Sequence, residues 1–415
     1  MSNLTIDEAR DMNKLVYETP INPSVINKRT YKEYNFSNSS YEPGQTMQAI
    51  INSGGDAIWG PSSYINLKVK RNTANSQLGG KVDGTAYGLF KNVRLTHRSG
   101  EVLEDIRDID KLACLHLHWA TSLEDFEKNK QIMGNAVPGQ SDLNCMLPLK
   151  HMLGCFSRTD QYLPPGFLAG AKLEFDLNTN ARALVGDAGC TYQIASCQLV
   201  LDSADVYDSI KKDLLDEQMD VKKSGLQFSY PTYFSSVLSN GAVTALNIDI
   251  QRSASVTMMA LIASQLKTVD TLDTVSPNDF NSYTITDWQF RLGSEYMPKQ
   301  RTVSSEEESF LLTTQAFDGM PHQNDRSYMN STGIPFFAPN GVSSYANGNQ
   351  DDNRSVLAVS LEKSAAGLAL TGEPTNNSRV LNFSAGSSQA DSNVYAFLKY
   401  LRVANIMGDN VVVDA

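Results

Sequence analysis

Period-two alternation of apolar and polar residues recurs in short runs along this chain, and it constrains the fold more than any other feature. In YINLKVK, Ile65, Leu67 and Val69 fall on one face and Asn66, Lys68 and Lys70 on the other. KLEFDLN sets Leu173, Phe175 and Leu177 against Lys172, Glu174, Asp176 and Asn178. ALNIDIQ alternates Leu246, Ile248 and Ile250 with Asn247, Asp249 and Gln251, and DWQFRLG alternates Trp288, Phe290 and Leu292 with Gln289 and Arg291. The pattern returns from Val356 to Leu361, in RVLNFS and in VYAFLKYLRV. Neighbouring side chains of a strand point to opposite faces, so each run predicts a half-buried antiparallel strand. Turn formers separate the runs, as in NSGGDA, RSGE, NTNARA, LSNGAV and TGEPTNNS. Short strands joined by polar turns predict an all-β chain.

A length of 415 residues exceeds what one hydrophobic core usually supports. Two strand-rich blocks fit that length. One begins near residue 31 and ends with TYQIASCQLVLDSADV; the other begins near 224 and ends with NVYAFLKYLRVANIMGDNVVVDA. The expected division is an N-terminal arm over 1–30, a first β-domain over 31–216, a linker over 217–223 and a second β-domain over 224–415. In the arm, TIDEARDMNKLVYE predicts a short helix capped by Thr5 and ended before Pro20 and Pro23. VYDSIKKDLLDEQMDVKKSG, from Val206, predicts a linker helix near the midpoint.

CLHLHW, Cys114 to Trp119, raises the question of a metal centre. It lies in DIRDIDKLACLHLHWATSLEDFEKNKQIMG, where Ile109, Leu112, Leu115 and Trp119 recur at helical spacing. On a helix His116 and His118 sit about 200° apart and diverge. Tetrahedral zinc needs three or four converging ligands. The other histidines, His97, His151 and His322, form no HExxH frame. The expectation is a packing helix with Leu115 and Trp119 buried and both histidines partly exposed. Asp105, Asp108 and Asp110 invite calcium between subunits, but the preferred reading is that they cap and charge a helix start. Gly79-Gly80-Lys81 lacks the phosphate-loop spacing, and there is no GxSxG elbow. Glu306, Glu307 and Glu308 are expected in a solvated loop. Tyr64, Tyr230, Tyr233, Trp288 and Tyr296 are spread among strands, which fits packing better than base stacking. No catalytic, cofactor-binding or metal-ligating residue is assigned, and no cofactor.

A net charge of −11 and only small basic clusters, such as Lys68–Lys70–Arg71, Lys211–Lys212 and Lys222–Lys223, argue against a nucleic-acid coat. The five cysteines, Cys114, Cys145, Cys155, Cys190 and Cys197, are odd in number and form no CxxC pair. Free thiols in a reducing compartment are expected. The first twenty residues lack a secretory apolar core, and the longest apolar stretch, around VTMMALIA, is too short to span a bilayer.

Several segments, taken in order, resemble one family. NCMLPLKHMLGCFSRTDQYLPPGFLAGAKLEFDLN and the preceding FKNVRLTHRSGEVLEDIRDIDKL resemble segments of double jelly-roll major capsid proteins of the adenovirus/tectivirus-like lineage. ITDWQFRLGSEYMPKQRTVSSEEESFLLTTQAF is similar to a stretch in the capsid proteins of polinton-like viruses and adintoviruses. VLAVSLEKSAAGLALTGEPTNNSRVLNFSA and YAFLKYLRVANIMGDNVVVD look like their closing strands. The resemblance covers most of residues 60–415. It implies two tandem eight-stranded jelly-roll β-sandwiches, side by side and roughly normal to a capsid surface, with short helices in the connections. It also implies a homotrimer of pseudo-sixfold outline tiling an icosahedral shell around double-stranded DNA. The partners it implies are neighbouring capsomers, penton and minor capsid or cement proteins, and its place is the virion. The alternative is a β-sandwich spike that binds a receptor or glycan, which calls for an aromatic-lined pocket.

Overall fold

The alternating runs are strands in the computed structural model. It describes residues 26–317 and 356–414, apart from 74, 80–83, 122–125, 127, 135–141, 160, 187, 220–225, 242, 272–275, 279, 281–284, 299–301, 364–371, 377–378, 390 and 408–409. The Thr5-capped helix and most of the 217–223 linker lie outside the described residues.

The first half contributes β1 (Ile26–Asn35), β2 (Thr46–Ile51), β3 (Ala57–Arg71), β4 (Gln77–Leu78), β5 (Phe90–Thr96), β6 (Val102–Arg107), β7 (Asp142–Pro148), β8 (Ala171–Leu177), β9 (Leu184–Val185) and β10 (Tyr192–Val206). The second contributes β11 (Leu226–Asn240), β12 (Val243–Ile250), β13 (Ala254–Leu266), β14 (Ile285–Leu292), β15 (Glu295–Met297), β16 (Leu357–Ser360), β17 (Glu373–Thr375), β18 (Leu381–Gln389), β19 (Ser392–Met407) and β20 (Asn410–Asp414). The first half forms sheets β1-β10-β3-β7 and β2-β8-β5-β6. The second forms β11-β19-β13-β16 and β12-β18-β14-β15. β4 and β9 make a separate ribbon, while β17 adds to β13 and β20 to β19.

Setting those four short strands aside leaves eight per half among the described residues. Numbered within each half, both have sheet orders 1-8-3-6 and 2-7-4-5, with every pairing between them antiparallel. This is a jelly roll, occurring twice. The inward residues of β3, β5 and β8, among them Leu67, Val93 and Phe175, are fully buried. Phe90 and Phe175 pack at 4.9 Å between ring centroids, and Phe290 and Phe383 do so at 5.0 Å in the second sandwich. One hydrophobic cluster runs through both sandwiches.

Helices that fill connections include α1 (Ile109–Ala120), α2 (Asn180–Ala183), α3 (Asp208–Met219) and α4 (Glu306–Ala316). α3 is the midpoint helix expected from Val206. The Glu306–Glu308 run is not the expected loop. It forms the first turn of α4, where the Ser305 hydroxyl accepts a hydrogen bond from the Glu308 amide at 3.1 Å. A Ser N-cap followed by acidic residues satisfies the orphan amides and the positive end of the helix dipole.

Candidate functional site

The most densely connected polar groups lie in the joint between the two sandwiches. Glu104 on β6 is fully buried. Its carboxylate accepts hydrogen bonds from the Gly154 amide at 2.9 Å, the Cys155 amide at 2.8 Å and the Thr232 hydroxyl at 2.8 Å. Gly154 and Cys155 belong to a connection of the first sandwich, Thr232 to β11 of the second. Burial pushes the Glu104 pKa up despite these three donors, which favour the ionised form. Tyr230 donates to the Leu103 carbonyl at 2.8 Å, and Arg402 on β19 donates to the carbonyls of Val102 and Leu103. Gly154 is required here because a Cβ at that position would lie 1.5 Å from the Pro231 carbonyl oxygen.

A second polar knot sits at the start of α1. Arg182 on α2 donates to Asp110 at 2.8 and 2.7 Å and to Asp108 at 2.6 Å. Lys111, fully buried, lies 3.0 Å from Asp270 of the second sandwich and donates to the Pro277 carbonyl. Asp270 also accepts from the Tyr395 hydroxyl at 2.8 Å. Burial opposes the charge on Asp270, but Lys111 and Arg182 outweigh it and hold the carboxyl below its usual range. Lys111 also lies 3.9 Å from Asp110, so residues from α1, α2, β19 and the β13–β14 connection form one linked polar group. Buried charges of this kind are costly unless paired, and each one here is paired.

The aspartate triplet divides between these elements. Asp108 holds the N-cap position of α1, without a side-chain cap hydrogen bond, and Asp110 lies in its first turn; both pair with Arg182. Asp105 instead lies on β6 and pairs with Arg94 at 3.2 Å. CLHLHW lies on α1, as its spacing predicts, and Trp119 is buried against Phe310 at 5.7 Å and Phe317 at 6.0 Å, around α4. The expectation for His118 needs correction. It is buried, with Nδ1 2.5 Å from the Cys114 carbonyl and its ring 5.1 Å from that of Phe126, so it faces the first sandwich's own packing rather than solvent. His116 is half-buried and faces His151 at 6.2 Å between ring centroids. Among the described residues, no group of three or more His, Cys, Asp or Glu side chains is placed to hold a metal ion. The cysteines are free; four are buried and Cys197 partly so.

Sequence reasoning missed Glu104, Arg182, Asp270 and Gly154. Glu104 alone left a local signal: it is in phase with Ile106 on an edge strand, where the buried face is expected. The others acquire meaning only through partners tens to hundreds of positions away.

No protein-family model matches the chain, and none of the curated proteins is similar to it. Solved structures do match over nearly its whole length. The Faustovirus major capsid protein is 10% identical with a TM-score of 0.62, covering 97% of this chain and 94% of that one. The PBCV-1 virus capsid model is 12% identical at 0.62, covering 96% and 100%. The mavirus major capsid protein is 11% identical at 0.56, covering 100% and 95%. The fold is therefore the double jelly roll that these capsid proteins share.

Proposed function

We propose that this chain is the major capsid protein of an icosahedral double-stranded DNA virus, a structural subunit rather than an enzyme. The observation that carries the reading is the repeated strand order within one chain, matched end to end by capsid proteins. Two jelly rolls locked by a buried polar joint make one rigid wedge. Three such wedges give six similar sandwiches and a pseudo-sixfold tile. The proposed division is an arm ending where β1 begins, two sandwiches and a helix-bearing linker between them. The chain's own copies are its first partners, with penton and minor capsid proteins completing the shell, and the virion is its place.

The same reading assigns no catalytic, cofactor or metal residue; the buried carboxylates are engaged in the joint. Among the described residues, no helix is long and apolar enough to cross a membrane. Light scattering on the purified protein tests the proposal. The mass of three chains at micromolar concentration and moderate salt is expected, and a monomer alone under those conditions would refute it.

A further inference from the structure

The sheet β12-β18-β14-β15 of the second sandwich carries a continuous row of side chains across all four strands. Asp249 is the register partner of Asn382, Asn382 of Arg291, and Arg291 of Tyr296. Register partners stand side by side on one face of a sheet. Leu246, Ile248, Phe290 and Phe383, which alternate with the row, are buried on the other face, so the row points outward. Asp249, Arg291 and Tyr296 are exposed.

The row is not closed on itself. Asn382 donates through its amide nitrogen to the Asp249 carboxylate at 2.7 Å and to the Asn247 side-chain carbonyl, which fixes two acceptors. Neighbouring Arg379 is engaged by Glu295 and Glu373, each at 3.3 Å. The Arg291 guanidinium makes no hydrogen bond or ion pair among the described residues. Asn247, Asp249, Arg291, Glu295, Arg379 and Asn382 line a cavity of about 620 Å³, within the range of small-molecule sites. Tyr296, 49% exposed, stands next to Arg291 at the end of the row. The corresponding row of the first sandwich is Thr46, Asp176, Asn92 and Arg107. There Thr46 and Asn92 both donate to Asp176, at 2.7 and 3.0 Å. The position matching Arg291 is thus already engaged, and no aromatic residue ends that row.

We propose that this face of the second sandwich binds a saccharide bearing a carboxylate, a hexuronate or a sialate. The open guanidinium fork of Arg291 takes the carboxylate through two parallel hydrogen bonds. Asp249 and Asn247, held by Asn382, accept from sugar hydroxyls. The ring of Tyr296 covers the apolar C–H face of the pyranose, its hydroxyl remaining in water. From Asp249 to Arg291 is two strand spacings, roughly 10 Å, which a substituted pyranose bridges. At that separation salt largely screens Asp249 from the bound carboxylate. An anion without hydroxyls would use only Arg291, and a neutral sugar would leave Arg291 unused. The site lies within one chain, so it goes beyond the capsid reading and stands or falls independently of it.

Saturation-transfer NMR on the full-length protein tests it, with sialyllactose, digalacturonate and lactose as probes. At least one of the two acidic probes should receive saturation, on ring protons as well as beside the carboxylate, and lactose should bind more weakly. Arg291→Gln should weaken binding of the acidic probe by roughly tenfold or more, and Arg291→Lys, which keeps the charge but loses the fork, by less. Tyr296→Ala should weaken it too, while Arg94→Gln, on the corresponding face of the first sandwich, should leave it unchanged. These side chains are exposed, so the thermal transition of each variant should match the parent's. Several results would overturn the site: no transfer to either acidic probe, lactose bound as tightly as they are, or an affinity untouched by Arg291→Gln. Complete displacement by inorganic phosphate together with transfer confined to protons beside the carboxylate would reduce it to an anion contact and overturn it as well.

Discussion

β3 and β13 hold the same position in the two jelly rolls, yet their burial differs. From Ser63 to Lys70, β3 alternates between buried and more accessible residues. β13 is buried without a break from Thr257 to Gln265. A strand with one face open needs apolar residues only at every second position, whereas a strand covered on both faces reads as a continuous apolar run. The second sheet is enclosed inside the chain, and the first keeps a wet face studded with tyrosine and methionine. Two copies of one fold have thus been specialised, one as the middle of the molecule and one as its boundary.

Substitutions in the joint should separate the two sheets most sharply. Glu104→Ala leaves two buried amides and a buried hydroxyl without their acceptor and should cost about 3–5 kcal/mol in chemical denaturation. Glu33→Ala, on the open face of β1, should stay within about 0.5 kcal/mol. Equal effects would mean that the joint does not stabilise the chain. Trp119→Ala should cost about 3–5 kcal/mol through lost burial and a cavity. His118→Gln, at a buried position, should cost about 1–3 kcal/mol, and half-buried His116→Gln less than about 1 kcal/mol at neutral pH. Stoichiometric zinc, lost together with stability in either histidine variant, would reverse this account of α1.

Acid should weaken the same region. Burial first, then Lys399 and Lys150, lower the His116 pKa from 6.5 to about 4. The unfolded chain takes up this proton below pH 6.5 and the folded chain only below about 4. The contribution is therefore complete above pH 6.5, lost as pH falls toward 4 and constant below that. It amounts to at most about 3 kcal/mol, less whatever solvent screening allows. His151 shifts in the same direction, through burial and then His116. Glu104, with its raised pKa, acts in the opposite sense, its contribution declining as pH rises through that value. Comparing melting temperatures of the parent and His116→Gln between pH 7 and 4 isolates the imidazole; parallel curves would contradict the assignment.

The smallest contrast is a matched pair. Tyr230→Phe removes the hydrogen bond to the Leu103 carbonyl across the joint and should cost about 1 kcal/mol. Tyr31→Phe, on the open face, should leave chain stability unchanged.

Much of the fold was legible because alternation is local. YINLKVK, KLEFDLN, ALNIDIQ and DWQFRLG lie in β3, β8, β12 and β14, each continuing at most one residue beyond the strand. VTMMALIA was legible as apolar and too short for a membrane, but its burial from Thr257 onward in β13 also marked the enclosed sheet. The joint was less legible. Lys111 meets Asp270 across 159 positions and Glu104 meets Thr232 across 128, distances over which sequence periodicity carries no signal. The spacing of CLHLHW gave its helix and the burial of Trp119. The burial of His118 involves Phe126, which lies beyond the helix and which no pattern within α1 encodes.

Electron microscopy of the purified protein tests the central claim most directly. Class averages should show a threefold particle of hexagonal outline with six lobes, two from each chain. Isolated two-lobed particles at micromolar concentration would contradict it.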